Sequence, residues 1–308
     1  LNPSSSQGGA AADAGSRDRQ IAYFTFNFAL DMAAHGIPGL KPLECLLMMA
    51  INQANIIPLT RDPEARSRYG ALEAPAPDDE RRPVSVRAVA ASMRLPYETA
   101  RRNIRRLEAK GACIASEAGV VTPAAFMLTP AYFEAARVGH ERLHALYRML
   151  TARGLLDPLP AANYDEGEPP VRAAVRLMSD YLLRAAEAVM GRTGDLAATL
   201  VLLPLLAAAA GADGRLPEPM SAAALARRTQ LPAETVRRHA IALVEQGICV
   251  SGPKGLGLAD PSMRSPEWRS LLRENAVAAQ RMFAGLAERG VVAVWDQMAA
   301  QPGASSSG

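Results

Sequence analysis

The chain carries one passage twice. Leu95-Pro96-Tyr97-Glu98-Thr99-Ala100-Arg101-Arg102 returns 136 residues later as Leu231-Pro232-Ala233-Glu234-Thr235-Val236-Arg237-Arg238. The same offset carries Pro83 onto Pro219, Ser85 onto Ser221, Leu107 onto Leu243, Gly111 onto Gly247 and Cys113 onto Cys249. Identities held in one register over that distance mark an internal duplication. Whatever the first copy folds into, the second must fold into as well. The repeated unit reads as a helix, a tight turn, a basic helix, a glycine stop and a short hairpin.

Composition fixes the material of the cores. The 308 residues leave room for two domains, and 49% of them are hydrophobic against 21% charged. Aromatics are only 5%, so Leu, Ala, Val and Met must do most of the packing. Ala, Leu, Met and Arg are good helix formers, which predicts a mainly α protein. Repeat one is read as residues 19–155 and repeat two as 171–301, joined by a Pro-, Gly- and acid-rich linker at 156–170. Residues 1–18, rich in Ser, Gly and Ala, and the tail 302–308 are expected to be disordered or appended, and outside the fold.

Each repeat is expected to open and close with helix around its central unit. The opening helices are read as Gln20–His35 and Leu43–Ile57 in repeat one, and Val171–Met190 and Leu196–Ala210 in repeat two. The closing helices are read as Tyr132–Arg153 and Pro266–Arg289. Leu196–Ala210 is too short for a comfortable membrane span and reads as a core helix kinked or broken at Pro204. Repeat one has an extra segment, Pro58–Arg82, which is expected to be a mobile loop. The three cysteines, Cys45, Cys113 and Cys249, form no CxxC pair. They read as reduced, buried thiols of a cytosolic protein.

The central units have the layout of a winged helix-turn-helix, in which the second helix enters the DNA major groove. Ser85 is the expected N-cap of a helix over Val86–Met93, with Val89 and Ala90 facing inward. Leu95 plugs the core from the turn, and Pro96 stands where its missing N–H costs little. The second helix, residues 97–110, ends at Gly111. Ala100, Ile104 and Leu107 line its buried face, which turns Tyr97, Glu98, Arg101, Arg102 and Arg105 outward. An outward arginine can grip guanine O6 and N7 with both arms, and a glutamate can accept from cytosine N4. In repeat two the helix spans 233–246; Val236, Ala240 and Leu243 face inward, while Glu234, Arg237, Arg238 and His239 are expected outside. The wings are read at Cys113–Val121, which carries Glu117 and no base, and at Cys249–Leu258, where Lys254 suits a phosphate contact. Arg81, Arg82, Arg87, Arg94, Arg101, Arg102, Arg105, Arg106 and Lys110 make repeat one the more basic, and it is expected to carry more of the affinity.

The Glu-Thr-x-x-Arg segments (Glu98, Thr99, Arg102 and Glu234, Thr235, Arg238) resemble the recognition helix of the catabolite activator family. There the matching Glu and Arg read bases and the Thr contacts backbone. The plan of flanking helices around each unit is similar to a MarR-type subunit. Both resemblances imply a bacterial transcriptional regulator that binds double-stranded DNA in the cytoplasm, associated with the nucleoid. Two other readings stay open: a plasmid-type replication initiator, which also joins two winged-helix domains in one chain, and a scaffold whose units contact protein.

His140-Glu141-Arg142-Leu143-His144 matches H-E-x-x-H on an expected helix. It would need a third zinc ligand, which the sequence does not place, and repeat two has Ala276 and Gln280 at the matching positions. It reads first as chance spacing. No phosphate-binding or nucleophile motif appears, so no enzyme and no cofactor is expected. The apolar flanking helices could form a homodimer interface or a pocket for a small-molecule effector, and the sequence does not say which. No membrane association is expected.

Overall fold

The computed structural model describes residues 4–163, 171–212, 215–259 and 265–300. They are mainly helical, with two antiparallel hairpins. The first half runs α1 (Ser4–Ala34), α2 (Pro42–Arg61), α3 (Pro63–Arg68), α4 (Val86–Ser92), α5 (Tyr97–Ala109), the hairpin β1 (Ile114–Ser116) and β2 (Gly119–Val121), α6 (Ala124–Met127) and α7 (Pro130–Thr151). The second runs α8 (Val171–Thr193), α9 (Leu196–Ala210), α10 (Ala222–Thr229), α11 (Ala233–Glu245), the hairpin β3 (Cys249–Gly252) and β4 (Gly255–Leu258), α12 (Pro266–Glu288) and α13 (Val291–Ala300).

The duplication survives in backbone detail. Ser85 and Ser221 cap α4 and α10 by accepting the N–H of Ala88 and Ala224 at 3.1 and 3.2 Å. Arg94 and Gln230, in the turns that follow, both take left-handed φ angles, 48° and 53°. α5 and α11 end on Gly111 and Gly247, with φ of 69° and 70°. Past each glycine the next N–H returns to the helix, from Ala112 to Leu107 O at 2.9 Å and from Ile248 to Leu243 O at 3.0 Å. Val84 bridges to Val120 and Met220 to Leu256, so each hairpin gains a one-residue third strand. Gly119 and Gly255 make those bridges possible: a Cβ there would lie 2.7 and 2.3 Å from the Val84 and Met220 carbonyl oxygens.

The cores do not follow the repeat boundary. α1 has two apolar faces. Ala22 and Phe26 pack with α9, α10, α11 and the second hairpin, among Val201, Leu205, Leu225, Val236, Leu243 and Leu256. Ile21, Phe28 and Met32 join Leu143, Leu146 and Leu150 of α7 with Met178 and Tyr181 of α8, Phe283 of α12 and Trp295 of α13. The first unit, with Leu47 and Ile51 of α2, Val89, Leu95, Ile104 and Leu107, is closed by Met190 and Leu196 from α8 and α9. The turn residues repeat this exchange. Arg94 donates to Met190 O near the end of α8, and Gln230 donates to Ala34 O at the end of α1, at 3.2 Å each. Each repeat's opening helix therefore helps to close the other repeat's unit. A buried chain of hydrogen bonds ties the centre together: Tyr181 Oη donates to Asn275 Oδ1, and Asn275 Nδ2 donates to Thr25 Oγ1, both at 2.9 Å.

Several boundaries differ from the sequence reading. α1 begins at Ser4, so residues 4–18 are helical and not outside the fold; residues 302–308 lie outside the described part. α2 runs through Pro58 to Arg61, and α3 and a 3-10 turn at Asp78–Glu80 occupy the segment expected to be a loop. That segment is pinned at its middle and at its C-terminal end. Arg172 of α8 donates to the Ala71 and Leu72 carbonyls, and Arg81 is buried. α9 passes through Pro204 unbroken, and almost all of it is buried. A short final helix, α13, had no counterpart in the sequence reading.

Candidate nucleic-acid interface

The outer face of α5 is set by its inner one. Ala100, Ile104 and Leu107 are buried to 2% exposure or less, and the helical period turns Tyr97, Glu98, Arg101, Arg102 and Arg105 to solvent. Arg101 lies 3.6 Å from Glu98, a loose exposed pair. Arg102 and Arg105 have no ion-pair partner among the described residues. Thr99 is half-buried at the base of the face, where its carbonyl accepts from Asn103 Nδ2 at 2.8 Å.

α11 repeats the frame with different chemistry. Val236 and Leu243 are fully buried, and Ala233, Glu234, Arg237 and Arg238 are exposed, with Thr235 half-buried. Arg237 is held by Glu234 at 2.6 Å, tighter than the matching pair in α5. Ile241 stands at the position of Arg105 and is 54% exposed. His239, expected outside, is buried instead. It matches Asn103, whose place is also on the inner side, and its Nδ1 faces Asp195, the N-cap of α9, at 3.5 Å.

The basic count of repeat one shrinks in three dimensions. Arg81 points inward with its side chain 1% exposed. Lys110 turns to α2, where Nζ donates to Glu44 Oε2 at 2.7 Å and Gly39 O at 2.8 Å. Burial alone would raise Glu44, but the bonds from Lys110 and the Lys41 N–H, with both lysine charges, bring it below its ordinary value. On the second hairpin Lys254 lies 3.3 Å from Glu218, with both side chains mostly exposed. Cys113 and Cys249 open the two hairpins from inside the core. Burial pushes both thiols up to about 12, which disfavours the nucleophilic thiolate.

The paired histidines of α7 are explained by α13. Trp295, fully buried, donates its indole N–H to His140 Nε2 at 3.0 Å, and its ring stacks on His144 at 5.0 Å between centroids. Glu141 is turned away and paired with Arg137. No group of three metal-binding side chains exists among the described residues, so the zinc reading lacks its third ligand. The rings act as packing surface. Burial, then His144 beside it, holds His140 below the ordinary imidazole range; burial and Arg148 do the same to His144, against Asp296. His239 is lowered likewise, by burial and then Arg238, against Asp195. The fold thus favours the neutral rings. Their contribution is whole above the unfolded value of about 6.5 and is lost as pH falls through the lowered folded values. Urea midpoints are expected to fall from pH 7.5 to pH 5.5, and a chain with His140→Gln, His144→Gln and His239→Asn should fall less. Equal slopes in both chains would remove the histidines from the account.

One feature lay beyond the sequence reading. A cavity of about 150 Å³ lies between α1, α2, α7, α8 and the 62–82 segment, with Arg81, Arg172 and Gln53 in its wall. Arg81 sits in the run Glu80-Arg81-Arg82-Pro83, which looks like surface charge; nothing local marks it as inward. Next to the cavity, Asn55 is fully buried and fastens the first hairpin to α2. It donates to Arg82 O and Val120 O at 2.8 and 3.1 Å and accepts from the Thr122 N–H at 3.0 Å. α2 is by length and composition apolar enough to cross a membrane, but its apolar residues Leu47, Met48 and Ile51 are packed in the first unit's core. Comparison with family models, curated proteins and solved structures finds no match.

Proposed function

We propose that this protein is a sequence-specific regulator of transcription that binds double-stranded DNA through two winged helix-turn-helix units. The observation that carries the reading is the outer face of α5. Three arginines and a glutamate stand exposed on a helix whose other side is locked into the core, and α11 repeats the plan. Such a face suits base edges in a major groove, with Arg on guanine and Glu on cytosine. Lys254, at the tip of the second hairpin, suits a phosphate. One chain then supplies two reading heads, as a two-fold dimer of single-unit chains does. Because Ile241 replaces Arg105, and Arg237 is engaged by Glu234, the two heads prefer different half-sites and the operator is asymmetric. The setting is the bacterial cytoplasm and its nucleoid.

Selection of sites from random duplex DNA, at two salt concentrations, tests this directly. The expected result is one enriched asymmetric motif, with affinity falling as salt rises because phosphate contacts release counterions. Enrichment of tandemly iterated copies would favour the replication-initiator reading. Absence of any salt-dependent retention would leave the protein-binding scaffold.

A further inference from the structure

The cavity has a built polar wall inside an apolar shell. Met32, Met48, Met49, Met127 and Met178 supply much of the lining, and thioether side chains adapt to ligands of irregular shape. Its volume of about 150 Å³ is of the order that holds one six-membered ring. Arg81 enters this shell almost wholly out of solvent. Its Nε donates to Ala76 O at 2.9 Å and its Nη1 to Asn52 Oδ1 at 3.0 Å. Among the described residues its Nη2 meets only a thioether, Met127 Sδ at 3.6 Å, which is a weak acceptor. Its one ion-pair partner among the described residues, Asp78, lies 3.6 Å from Nε. Arg172 comes in from α8 to the same wall. Burial disfavours the charge on both guanidiniums; Asp78 offsets part of this on Arg81 while Arg172 adds to it, and Tyr132 and Glu73 offset part of it on Arg172. Gln53 adds an acceptor with nothing to accept. Its Nε2 donates to Asp180 Oδ1 at 2.8 Å, while its Oε1 is buried without a hydrogen-bond partner among the described residues.

Arg172 is met in part by the Ala71 and Leu72 carbonyls, and Arg176 lines the same wall. So much positive charge and an orphan acceptor in an apolar wall are costly without an anion and a donor to meet them. We propose that this cavity binds a small organic carboxylate, its anionic end at Arg81 and Arg172 and its apolar body, one ring or a short chain, among the methionines. A hydroxyl or amino hydrogen on that body would reach Gln53 Oε1.

Among the described residues repeat two does not reproduce this site. Repeat two has Pro217 where repeat one has Arg81, and only the shorter Gly211–Pro219 in place of the Pro58–Arg82 segment. Its α9 presents Leu and Ala along nearly its whole surface. The duplicated halves have diverged, so the expected stoichiometry is one ligand per chain. The inference does not depend on DNA binding.

The test is calorimetric titration of the full chain with benzoate, hexanoate, benzamide and inorganic phosphate. Benzoate or hexanoate should bind saturably at one per chain. Benzamide, which keeps the ring and loses the charge, should bind about tenfold or more weakly, because a polar wall left unmatched rejects the analogue. Arg172→Met should abolish that discrimination. Arg81 also holds the 3-10 turn, so a variant there would report on folding as well as binding; the benzoate and benzamide comparison stands on the unaltered protein. Equal affinities for the acid and the amide, no saturable binding of either acid, a ratio of two, or phosphate binding as well as benzoate would each overturn the proposal.

Discussion

A chain carrying Arg101→Ala and Arg102→Ala is expected to lose about 100-fold or more of its affinity for its selected duplex, since each arginine gripping a guanine is worth roughly 1–3 kcal/mol. Its melting temperature should stay within a few degrees of the parent's. Both side chains are exposed, and among the described residues neither has a partner beyond the loose 3.6 Å ion pair of Arg101 with Glu98. Surface changes of that kind move stability by about 0.5 kcal/mol or less. The matching change in α11 should cost less. Arg237 must leave Glu234, which holds it at 2.6 Å, before it can meet a base. Ile241 is the residue that should make the second half-site distinctive, because an exposed branched alkyl group suits a thymine methyl better than a guanine edge. Exchanging it for arginine should draw the second half-site toward the first. The readout is fluorescence anisotropy on the selected site and on one scrambled site, beside a thermal melt. Unchanged affinity in a chain that melts normally would remove α5 as the reading helix.

Local features were legible in the sequence because they rest on local rules. The serine caps, the turn at Leu95, the glycine stops at Gly111 and Gly247 and the inner stripe Ala100, Ile104, Leu107 follow from helix period and backbone preference. All stand where the residues place them. The outward arginines follow from the same stripe. His239 was misplaced because it lies at the edge of the inner face, where the period alone does not decide. Its burial depends on Asp195, forty-four residues earlier in the chain, at the head of α9. Arg81 was misplaced for a related reason. A run of arginines near prolines gives no local sign that one of them turns inward; the carbonyl of Ala76 and the side-chain oxygen of Asn52, with Asp78 and Met127 nearby, hold it there. The cavity's place and its polar wall were illegible because that wall is gathered from α1, α2, α6, α7, α8 and an insertion. The Ser-, Gly- and Ala-rich start of α1 hid its continuity with the amphipathic part that follows. The exchange of opening helices could not be read at all, since a repeat in sequence does not say whose core each helix completes.

That exchange makes its own forecast. Residues 165–300 expressed alone should not unfold cooperatively, although they hold a complete repeat. They lack α1, and with it Phe26 and Ala22 from the face of α9 and Ile21, Phe28 and Met32 from the central cluster. Burying the four large side chains among these contributes roughly 8 kcal/mol at about 2 kcal/mol each. That is comparable with the whole stability of an ordinary domain, about 5–15 kcal/mol. The fragment also strands Asn275, which is 1% exposed and loses Thr25 as the acceptor for its amide; a buried donor left unmatched costs about 1–3 kcal/mol more. The first half suffers in turn, because Met190 and Leu196 close its own unit from the far side of the linker. Mixing the two separately purified halves should restore both, since the linker supplies proximity and the shared cores supply the attraction. Circular dichroism melts of each half and of the equimolar mixture would read this. The expected pattern is broad, sloping curves apart and one sharp transition together. A sharp transition in residues 165–300 alone, at the temperature of the full chain, would mean that the repeats are independent domains in contact. The two reading heads would then be free to adjust to half-sites of any spacing. With a shared core they are held in one geometry, so affinity should fall when base pairs are inserted between the half-sites.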